Sequence, residues 1–182
     1  MIITKTKIEG LLIIKPKVFN DKRGYFFESW NQKLALENGI VFNPLQHNES
    51  SSGYGVIRGL HYQIAPYGQT KLVRVISGKV LDVAVDLRKN SPTFGQHVAV
   101  ELSGENKTQF LIPKGFAHGF AVLSERAIFS YMCDEYYNPQ SERGIQFDDP
   151  KLKIDWKISP KDYIISEKDT KNPAFIDAEM NF

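Results

Sequence analysis

The side chains of this 182-residue chain best suited to move protons near neutral pH are its four histidines. One of them, His61, stands in the run Arg58-Gly59-Leu60-His61-Tyr62-Gln63, and Lys71 follows shortly after it. Burying two cations and an imidazole together without a function would cost several kcal/mol of desolvation. The alternative that Arg58 and Lys71 are ordinary surface residues fits the sequence equally well. The histidines are His47, His61, His97 and His118.

The spacing of Arg58 and His61 does not suit a regular strand that presents both to one site. Side chains of a β-strand alternate between faces, so two residues three apart point in opposite directions. Gly59 lies between them, and a glycine within a strand often marks a bulge or a kink. We therefore expect a shared site only if the chain kinks at Gly59.

Three further residues could act in catalysis, but each also has a simpler structural interpretation. His118 shares a predicted strand face with Phe116 and Phe120, where a histidine points inward and is more often a hydrogen-bonded core residue. A buried tyrosine such as Tyr131 usually packs, unless its hydroxyl faces a cavity. Asp169 has polar neighbours and is predicted to be an exposed loop acid.

Metal, phosphate-loop and thiol chemistry find little support in the sequence. The pair His-x-His is absent, since Gln63 stands two residues after His61. The glycines at 53, 55 and 59 match neither phosphate-loop nor dinucleotide-binding spacing. Cys133 is the only cysteine, and no adjacent His, Lys or Arg would activate its thiol. A metal-dependent, cupin-like enzyme that uses His61 and His118 stays a minor alternative.

The composition argues against nucleic-acid and membrane partners. The chain has 23 basic and 21 acidic residues and a formal charge of +2, and its basic groupings are interrupted by acidic or apolar residues. No apolar stretch near the N-terminus is long enough for a signal peptide or a membrane span. One cysteine permits no internal disulfide, which suits a reducing compartment. We therefore expect a cytoplasmic protein.

The elements that must position these residues are predicted to be short β-strands. Two apolar runs, residues 71–76 and 80–87, flank Gly78 and predict a hairpin that turns at this glycine. Many short strands with little helix indicate a sandwich or barrel of the jelly-roll type, which can enclose a ligand. Further strands are predicted over residues 97–102, 109–112, 116–123 and 127–133.

Helices are expected only at the periphery. One short helix is predicted from about Asn31 to Asn38, with Gly39 as its stop. The irregular stretch from Asp149 onward is predicted to pack on the barrel as loops or a short helix, anchored by Trp156. The predicted fold is an all-β, cupin-like jelly-roll barrel with short peripheral helices, in a single domain over residues 1–182.

The sequence resembles the dTDP-4-dehydrorhamnose 3,5-epimerase family along nearly its whole length. Each matching segment is weak alone, but nine of them follow one another in the family's order. The segments cover residues 16–19 with 21–28, then 46–50, 58–63, 71–75, 91–95, 113–120, 148–150, 154–156 and 166–169.

This resemblance implies a jelly-roll homodimer and a reaction without cofactor or metal. The reaction inverts carbons 3 and 5 of dTDP-4-dehydro-6-deoxy-D-glucose and gives dTDP-4-dehydro-L-rhamnose. His61 matches the base, Asp169 the carboxylate that orients it, and Tyr131 the proton donor on the opposite sugar face. Lys71 matches the residue that steadies the enolate oxygen. The positions that match substrate contacts are Arg23, Glu28, Gln46, Asn48, Arg58, His118, Glu142 and Lys168.

The chemistry of such a reaction suits these residue types. Both reacting carbons neighbour the carbon 4 ketone, so removal of a proton leaves an enolate whose charge rests on one oxygen. A fixed cation there contributes roughly 10²–10³ in rate, and a positioned base roughly 10²–10⁴. Inversion needs one group on each sugar face. No hydride moves, so no nicotinamide is required, and the pyrophosphate needs cations such as Arg23 and Arg58.

Two departures from the family pattern concern the choice of substrate. Lys157 follows Trp156 where the family often has proline, and Thr70 precedes Lys71 where glycine is common. Relatives that invert only carbon 3 or carbon 5 share most of the pattern, so a single-position epimerase stays an alternative. A non-catalytic sugar-nucleotide binding module is another, against which the matched base, acid and phenol argue.

Overall fold

The protein, described here from a computed structural model of residues Met1 to Phe182, is built of β-strands with little helix. The helices are α1 (Gln32–Glu37) and two 3-10 helices, Pro160–Asp162 and Asp169–Lys171. The predicted all-β class with short peripheral helices is confirmed. The strands are β1 (Ile2–Lys5), β2 (Leu12–Lys15), β3 (Phe19–Asp21), β4 (Gly24–Phe26), β5 (Gln46–Gly53), β6 (Val56–Gln63), β7 (Lys71–Ser77), β8 (Lys79–Asp86), β9 (His97–Ser103), β10 (Gln109–Ile112), β11 (Phe116–Val122), β12 (Arg126–Cys133), β13 (Glu142–Gly144) and β14 (Ile164–Ile165).

The strands form two facing sheets and a small hairpin of β3 and β4. The first sheet has the order β1-β2-β10-β7-β12-β5, and the second has β13-β6-β11-β8-β9 with β14 beside β6. Strands β5 to β12 pair as nested antiparallel couples, β5 with β12, β6 with β11, β7 with β10 and β8 with β9. This nesting is the jelly-roll topology, and it confirms the predicted fold.

The hairpin predicted at Gly78 is wrong. β7 pairs with β10 and β12 in the first sheet, whereas β8 pairs with β9 and β11 in the second. Gly78 has a φ of +79°, and a Cβ atom there would overlap the carbonyl oxygen of Arg126. The glycine therefore marks a corner where the chain passes from one sheet to the other, since only glycine fits so close an approach.

Apolar cores lie on both faces of the second sheet. One core of 15 buried residues fills the space between the sheets, with Phe129 from the first sheet and Phe120 from the second. Another core of 15 buried residues covers the outer face of the second sheet and includes Trp156. The Trp156 Nε1–H donates to the carbonyl of Phe147 at 2.8 Å, and the residue is 2% exposed. The prediction that Trp156 anchors the last part of the chain is confirmed.

The helix α1 begins and ends where the sequence predicts. The side chain of Asn31 accepts a hydrogen bond from the Leu34 N–H at 3.1 Å and caps the first turn. Gly39 follows the last turn with a φ of +76°, a conformation that favours glycine. Ala35 packs on the outer face of the first sheet. None of the helices has the length and apolar character needed to cross a bilayer.

Candidate active site

A cavity of about 690 Å³ opens between the two sheets. Sites for small molecules typically enclose roughly 300–1,000 Å³, so the volume suits a ligand of moderate size. The first sheet contributes side chains of β5, β7 and β12, and the second contributes side chains of β6 and β11. The lining residues are Asn48, Glu49, Ser50, Val56, Ile57, Arg58, His61, Lys71, His118, Phe120, Phe129, Tyr131, Ile164, Ile165, Ser166, Lys168 and Asp169.

β6 presents both Arg58 and His61 to this cavity because the strand is irregular at Gly59. His118 of β11 lies opposite His61, and Phe120 lies opposite Arg58, so two steps along β11 match three steps along β6. Gly59 has a φ of +132°, and a Cβ atom there would lie 2.5 Å from the backbone of β11. The structure therefore has the kink at Gly59 that a shared site of Arg58 and His61 requires.

His61 is held by a buried carboxylate. Its Nε2 lies 2.6 Å from Oδ1 of Asp169, and the exposed fractions of the two side chains are 30% and 4%. The Asp169 N–H donates to the Ser166 hydroxyl at 3.1 Å, which fixes the start of the 3-10 helix. Because Nε2 is engaged, Nδ1 is the ring nitrogen left to exchange a proton with a substrate.

The prediction that Asp169 is an exposed loop acid is wrong. The neighbouring Glu167 and Lys168 are exposed, but the Asp169 side chain turns inward to the His61 ring. Burial by itself raises the pKa of Asp169, but the hydrogen bonds from His61 and Ser166 outweigh it and hold this pKa below its ordinary value. The carboxylate therefore stays ionised at neutral pH and orients the imidazole.

Tyr131 and Lys71 reach the cavity from the sheet opposite His61. They lie on the paired strands β12 and β7, with the Lys71 Nζ 5.9 Å from the centre of the Tyr131 ring. Burial raises the pKa of Tyr131 above its ordinary value, which keeps the phenol protonated. Burial lowers the pKa of Lys71, and nearby acidic groups oppose this change. A phenol and an amine thus face an imidazole across one cavity.

His118 forms a second histidine–carboxylate pair in the cavity wall. Its Nε2 lies 2.9 Å from Oδ2 and 3.1 Å from Oδ1 of Asp82, a fully buried residue of β8. His118 itself is 7% exposed. The prediction that His118 points inward as a hydrogen-bonded residue is confirmed, and the structure adds that its ring borders the cavity.

Five further predicted substrate contacts, besides His118, lie in the cavity wall or next to it. Asn48, Arg58 and Lys168 line the cavity directly. Gln46 and Glu142 lie behind them, since Gln46 donates to Asn48 at 2.9 Å and Glu142 accepts from the Lys168 Nζ at 2.6 Å. Two cations and several amide or carboxylate groups thus lie in the cavity wall or directly behind it.

Arg23 and Glu28 are the predicted substrate contacts that the fold holds away from the cavity. Arg23 lies in the turn of the β3–β4 hairpin, where its side chain is 84% exposed and pairs with Asp21 at 2.5 Å. Glu28 follows the hairpin and accepts a hydrogen bond from Asn31 at 3.0 Å. The same hairpin exposes three aromatic side chains, Phe19, Tyr25 and Phe26.

Comparison with known proteins connects this geometry to a family. The family model described as dTDP-4-dehydrorhamnose 3,5-epimerase matches residues 5–177. The chain belongs to the dTDP-4-dehydrorhamnose 3,5-epimerase family. The predicted family and enzyme class are confirmed.

Relatives of this family resemble the chain over nearly its full length. A dTDP-4-dehydrorhamnose 3,5-epimerase of Shigella flexneri is 50% identical over 180 residues, 98% of either chain. A crystal structure of this enzyme from Elizabethkingia anophelis is 53% identical with a TM-score of 0.92, over 97% of both chains. A crystal structure of dTDP-6-deoxy-D-glucose-3,5-epimerase from Legionella pneumophila, in complex with dTDP-4-keto-L-rhamnose, is 49% identical. Its TM-score is 0.92, and the match covers 99% of this chain and 98% of that one.

Several residues in or beside the cavity of this family member were not predicted as site residues from the sequence. Phe120 and Phe129 stack with their ring centres 4.1 Å apart, and apolar wall residues carry no chemical signature in a sequence. Ser166 acts through its hydrogen bond to Asp169, which no local pattern reveals. Asp82 did leave a signal, because it stands on a strand whose neighbouring residues are apolar and where a lone acid needs a partner.

No group of three or more His, Cys, Asp or Glu side chains in this family member is arranged to hold a metal ion. The single thiol, Cys133, is buried beside Lys71 on the neighbouring strand. Burial raises the pKa of the Cys133 thiol to about 11, so the thiol stays protonated at neutral pH. A protonated, buried thiol is a poor nucleophile.

Proposed function

We propose that this chain inverts carbons 3 and 5 of dTDP-4-dehydro-6-deoxy-D-glucose to give dTDP-4-dehydro-L-rhamnose, in one domain over residues 1–182. The observation that carries the proposal is a cavity with two opposed walls. His61 with Asp169 forms one wall, and Tyr131 with Lys71 forms the other. Family membership supports this proposal, as does the ligand of the related Legionella structure. We expect the reaction to take place in the cytoplasm.

The reaction begins with removal of a proton from a carbon beside the ketone. His61 accepts this proton on Nδ1, because Nε2 is engaged by Asp169. The resulting imidazolium lies beside an ionised carboxylate, which stabilises its charge. The electron pair of the broken C–H bond moves onto the carbon 4 oxygen, and the Lys71 ammonium stabilises the enolate.

Inversion is completed from the opposite face of the sugar. Tyr131 gives its phenolic proton to the carbon while the enolate returns to the ketone. The phenolate then takes a proton from solvent, and the His61 imidazolium loses one, so both groups regain their starting states. Because both carbons flank the same ketone, one base, one acid and one cation serve both inversions. No net oxidation occurs, so no step asks for a redox cofactor.

The cations of the cavity wall suit the pyrophosphate of the substrate. Arg58 and Lys168 both line the cavity, and Arg58 provides a planar guanidinium for phosphate oxygens. Lys168 is paired with Glu142 at 2.6 Å, which holds its ammonium at the cavity edge. Asn48, which Gln46 orients, adds an amide to the same cavity wall.

The proposed active form is a homodimer. Arg23 and Glu28 match substrate-contacting positions, yet the fold keeps them outside the cavity of their own chain. Exposed aromatic side chains on the same hairpin form a patch that favours burial against a partner. A second copy seated on this hairpin would cover the patch and bring Arg23 to the partner's cavity.

Isotope exchange tests the proposed reaction. Substrate and enzyme are incubated in heavy water, and NMR follows the hydrogens at carbons 3 and 5. The proposal predicts deuterium uptake and a change of configuration at both carbons. Uptake at one carbon alone would indicate a single-position epimerase, and binding without uptake would indicate a binding module. Exchange that EDTA abolishes and a metal ion restores would favour the metal-dependent alternative.

A further inference from the structure

The second histidine–carboxylate pair, His118 with Asp82, has no part in the proposed proton transfers. Asp82 is fully buried, and both of its oxygens lie within 3.1 Å of the same nitrogen, Nε2 of His118. His118 is the only hydrogen-bonding partner of this carboxylate and forms its only ion pair. An isolated buried carboxylate costs several kcal/mol, so such a group persists in a core only when a partner compensates it.

The His118 ring is fixed from several directions. β11 places it between β6 and β8, with His61 opposite on one side and Ala84 on the other. The ring of Phe129, from the first sheet, stacks on it with centres 6.0 Å apart and planes inclined by 24°. The Asp82 carboxylate then fixes the rotation of the ring about its last bond. The orientation of His118 is therefore set by the fold before any substrate binds.

This orientation leaves one ring nitrogen available to a ligand. Both hydrogen bonds of the imidazole involve Nε2, so Nδ1 has no partner within the chain. The one fully buried side-chain nitrogen or oxygen without a partner is Nδ2 of Asn172, so Nδ1 of His118 is not sealed inside the protein. His118 borders the cavity, and the cavity is therefore the space that Nδ1 can reach.

We propose that Asp82 is a positioning residue, which holds His118 by Nε2 so that Nδ1–H serves as a second hydrogen-bond donor to the keto oxygen, together with Lys71. The inference rests on the proposed function, because the donor acts on the enolate of that reaction. It requires that both ring nitrogens of His118 carry hydrogen in the complex.

The charge of Asp82 also acts on Lys71. Burial lowers the pKa of Lys71, and the Asp82 carboxylate is one of the charges that oppose this change. The buried Asp82 carboxylate thus favours the charged form of the Lys71 amine, which lies in the first sheet. It also orients the His118 imidazole, which lies in the same sheet as Asp82. Two preorganised donors at one developing oxyanion contribute more than a single donor, since neither has to reorganise during the reaction.

The test compares Asp82→Asn with Asp86→Asn. The two aspartates lie on β8 and both are fully buried, but Asp86 pairs with Arg88 outside the cavity. We expect Asp82→Asn to lower kcat by at least about tenfold, with KM and the Kd for dTDP changed by less than about threefold. Asp86→Asn should lower Tm and leave kcat unchanged. A kcat of Asp82→Asn within about twofold of wild type would overturn the positioning proposal. The proposed function would still stand if the wild-type enzyme exchanges deuterium at carbons 3 and 5.

Two further measurements separate positioning from simple damage to the fold. If Asp82 acts through His118, the double variant Asp82→Asn/His118→Gln should be no slower than His118→Gln alone. Independent, multiplying losses would contradict this. Nitrogen-15 NMR of the wild-type protein with bound dTDP should show both ring nitrogens of His118 protonated. A ring with a bare Nδ1 would refute the donor role, and this measurement does not depend on how any variant folds.

Discussion

Burial alone raises the pKa of both Asp169, the partner of the proposed base, and Tyr131, the proposed acid, but the net pKa shifts of the two groups are opposite. At Asp169 the hydrogen bonds from His61 and Ser166 outweigh desolvation and lower the pKa, so the base has an anionic partner at neutral pH. At Tyr131 desolvation dominates and raises the pKa, so the acid keeps its proton. The same cavity therefore supports an ionised carboxylate and a neutral phenol, as a base on one face and an acid on the other require.

Replacing His61 by asparagine removes the base and leaves a polar side chain. We expect deuterium exchange at both carbons to fall by about two orders of magnitude or more. The affinity for dTDP, measured by calorimetry, should change by less than about threefold. His97→Asn is the matched control, since His97 lies on β9 away from the cavity, and it should exchange at the wild-type rate. Wild-type exchange by His61→Asn would assign the base to another residue.

Replacing Tyr131 by phenylalanine should separate exchange from inversion. His61 still removes the proton and can return a solvent deuteron to the same face, so deuterium uptake should continue. Without the phenol on the opposite face, inversion should fall by at least about tenfold more than uptake does. NMR measures both quantities in one reaction, because uptake removes a signal and inversion changes the couplings. An equal loss of both would show that Tyr131 is not the inverting acid.

The sequence predicted which residues line the cavity better than it predicted the burial and the hydrogen-bonding partners of their side chains. His61, Lys71, Tyr131 and Asp169 line one cavity, as the resemblance implied, while their catalytic roles stay predictions. The burial of Asp169 could not be predicted locally, because its partner lies 108 positions earlier in the chain. Asp82 was overlooked for the same reason, although an acid on a strand facing the core was visible in the sequence.

At the scale of elements, the alternation of apolar and polar residues predicted where several strands lie, but it did not predict which strands pair with each other. The strands over residues 97–133 were predicted to within one residue at nearly every end, because each has an apolar face of its own. The strands β1, β3 and β4 were not predicted, since they are short and mostly exposed. The predicted hairpin at Gly78 was wrong because the strands of a jelly roll pair with strands distant in the sequence. A glycine also occurs both at a hairpin turn and at a corner between two sheets, so the residue type alone does not distinguish them.

The bulge of β6 is the element on which the site depends most. Gly59→Ala would place a methyl group 2.5 Å from the β11 backbone at a φ of +132°, so the strand must shift. We expect a Tm lower by several degrees and an exchange rate lower by at least about tenfold, because Arg58 and His61 would lose their common face. Gly53→Ala on β5 is the control, as its added Cβ lies 3.7 Å from the nearest neighbour. Wild-type exchange by Gly59→Ala would show that the bulge does not set the site.

At the scale of the whole molecule, Asp86 makes the free energy of unfolding depend on pH in the acidic range. Its carboxylate accepts hydrogen bonds from Arg88, Ser91 and Thr93 and is fully buried. Burial by itself raises the pKa of Asp86, but these partners outweigh it and lower the pKa from 3.8 to about 2. The unfolded chain binds the proton more readily, so this contribution is complete above pH 3.8 and is lost as pH falls toward about 2.

Asp86→Asn tests this dependence. We expect the variant to unfold with a free energy about 2 kcal/mol lower than wild type near pH 6, the value that corresponds to the pKa shift. The difference should shrink as pH falls through the interval from 3.8 to about 2. Denaturant unfolding at several pH values measures it. A difference that stays constant with pH would mean that Asp86 stabilises the fold through packing and not through its charge.

The homodimer proposal makes Arg23 part of a site that its own chain does not contain. If Arg23 completes the partner's cavity, Arg23→Ala and His61→Asn chains should each be poorly active alone, yet regain activity when they are unfolded and refolded together. In the mixed dimer, the His61-containing cavity meets the intact Arg23 of the other chain, whereas the second cavity lacks both groups. Half of the dimers are mixed and each has one complete site, so about a quarter of the wild-type activity should return. If light scattering shows that dimers form but the mixture recovers no activity, Arg23 does not complete the partner's cavity.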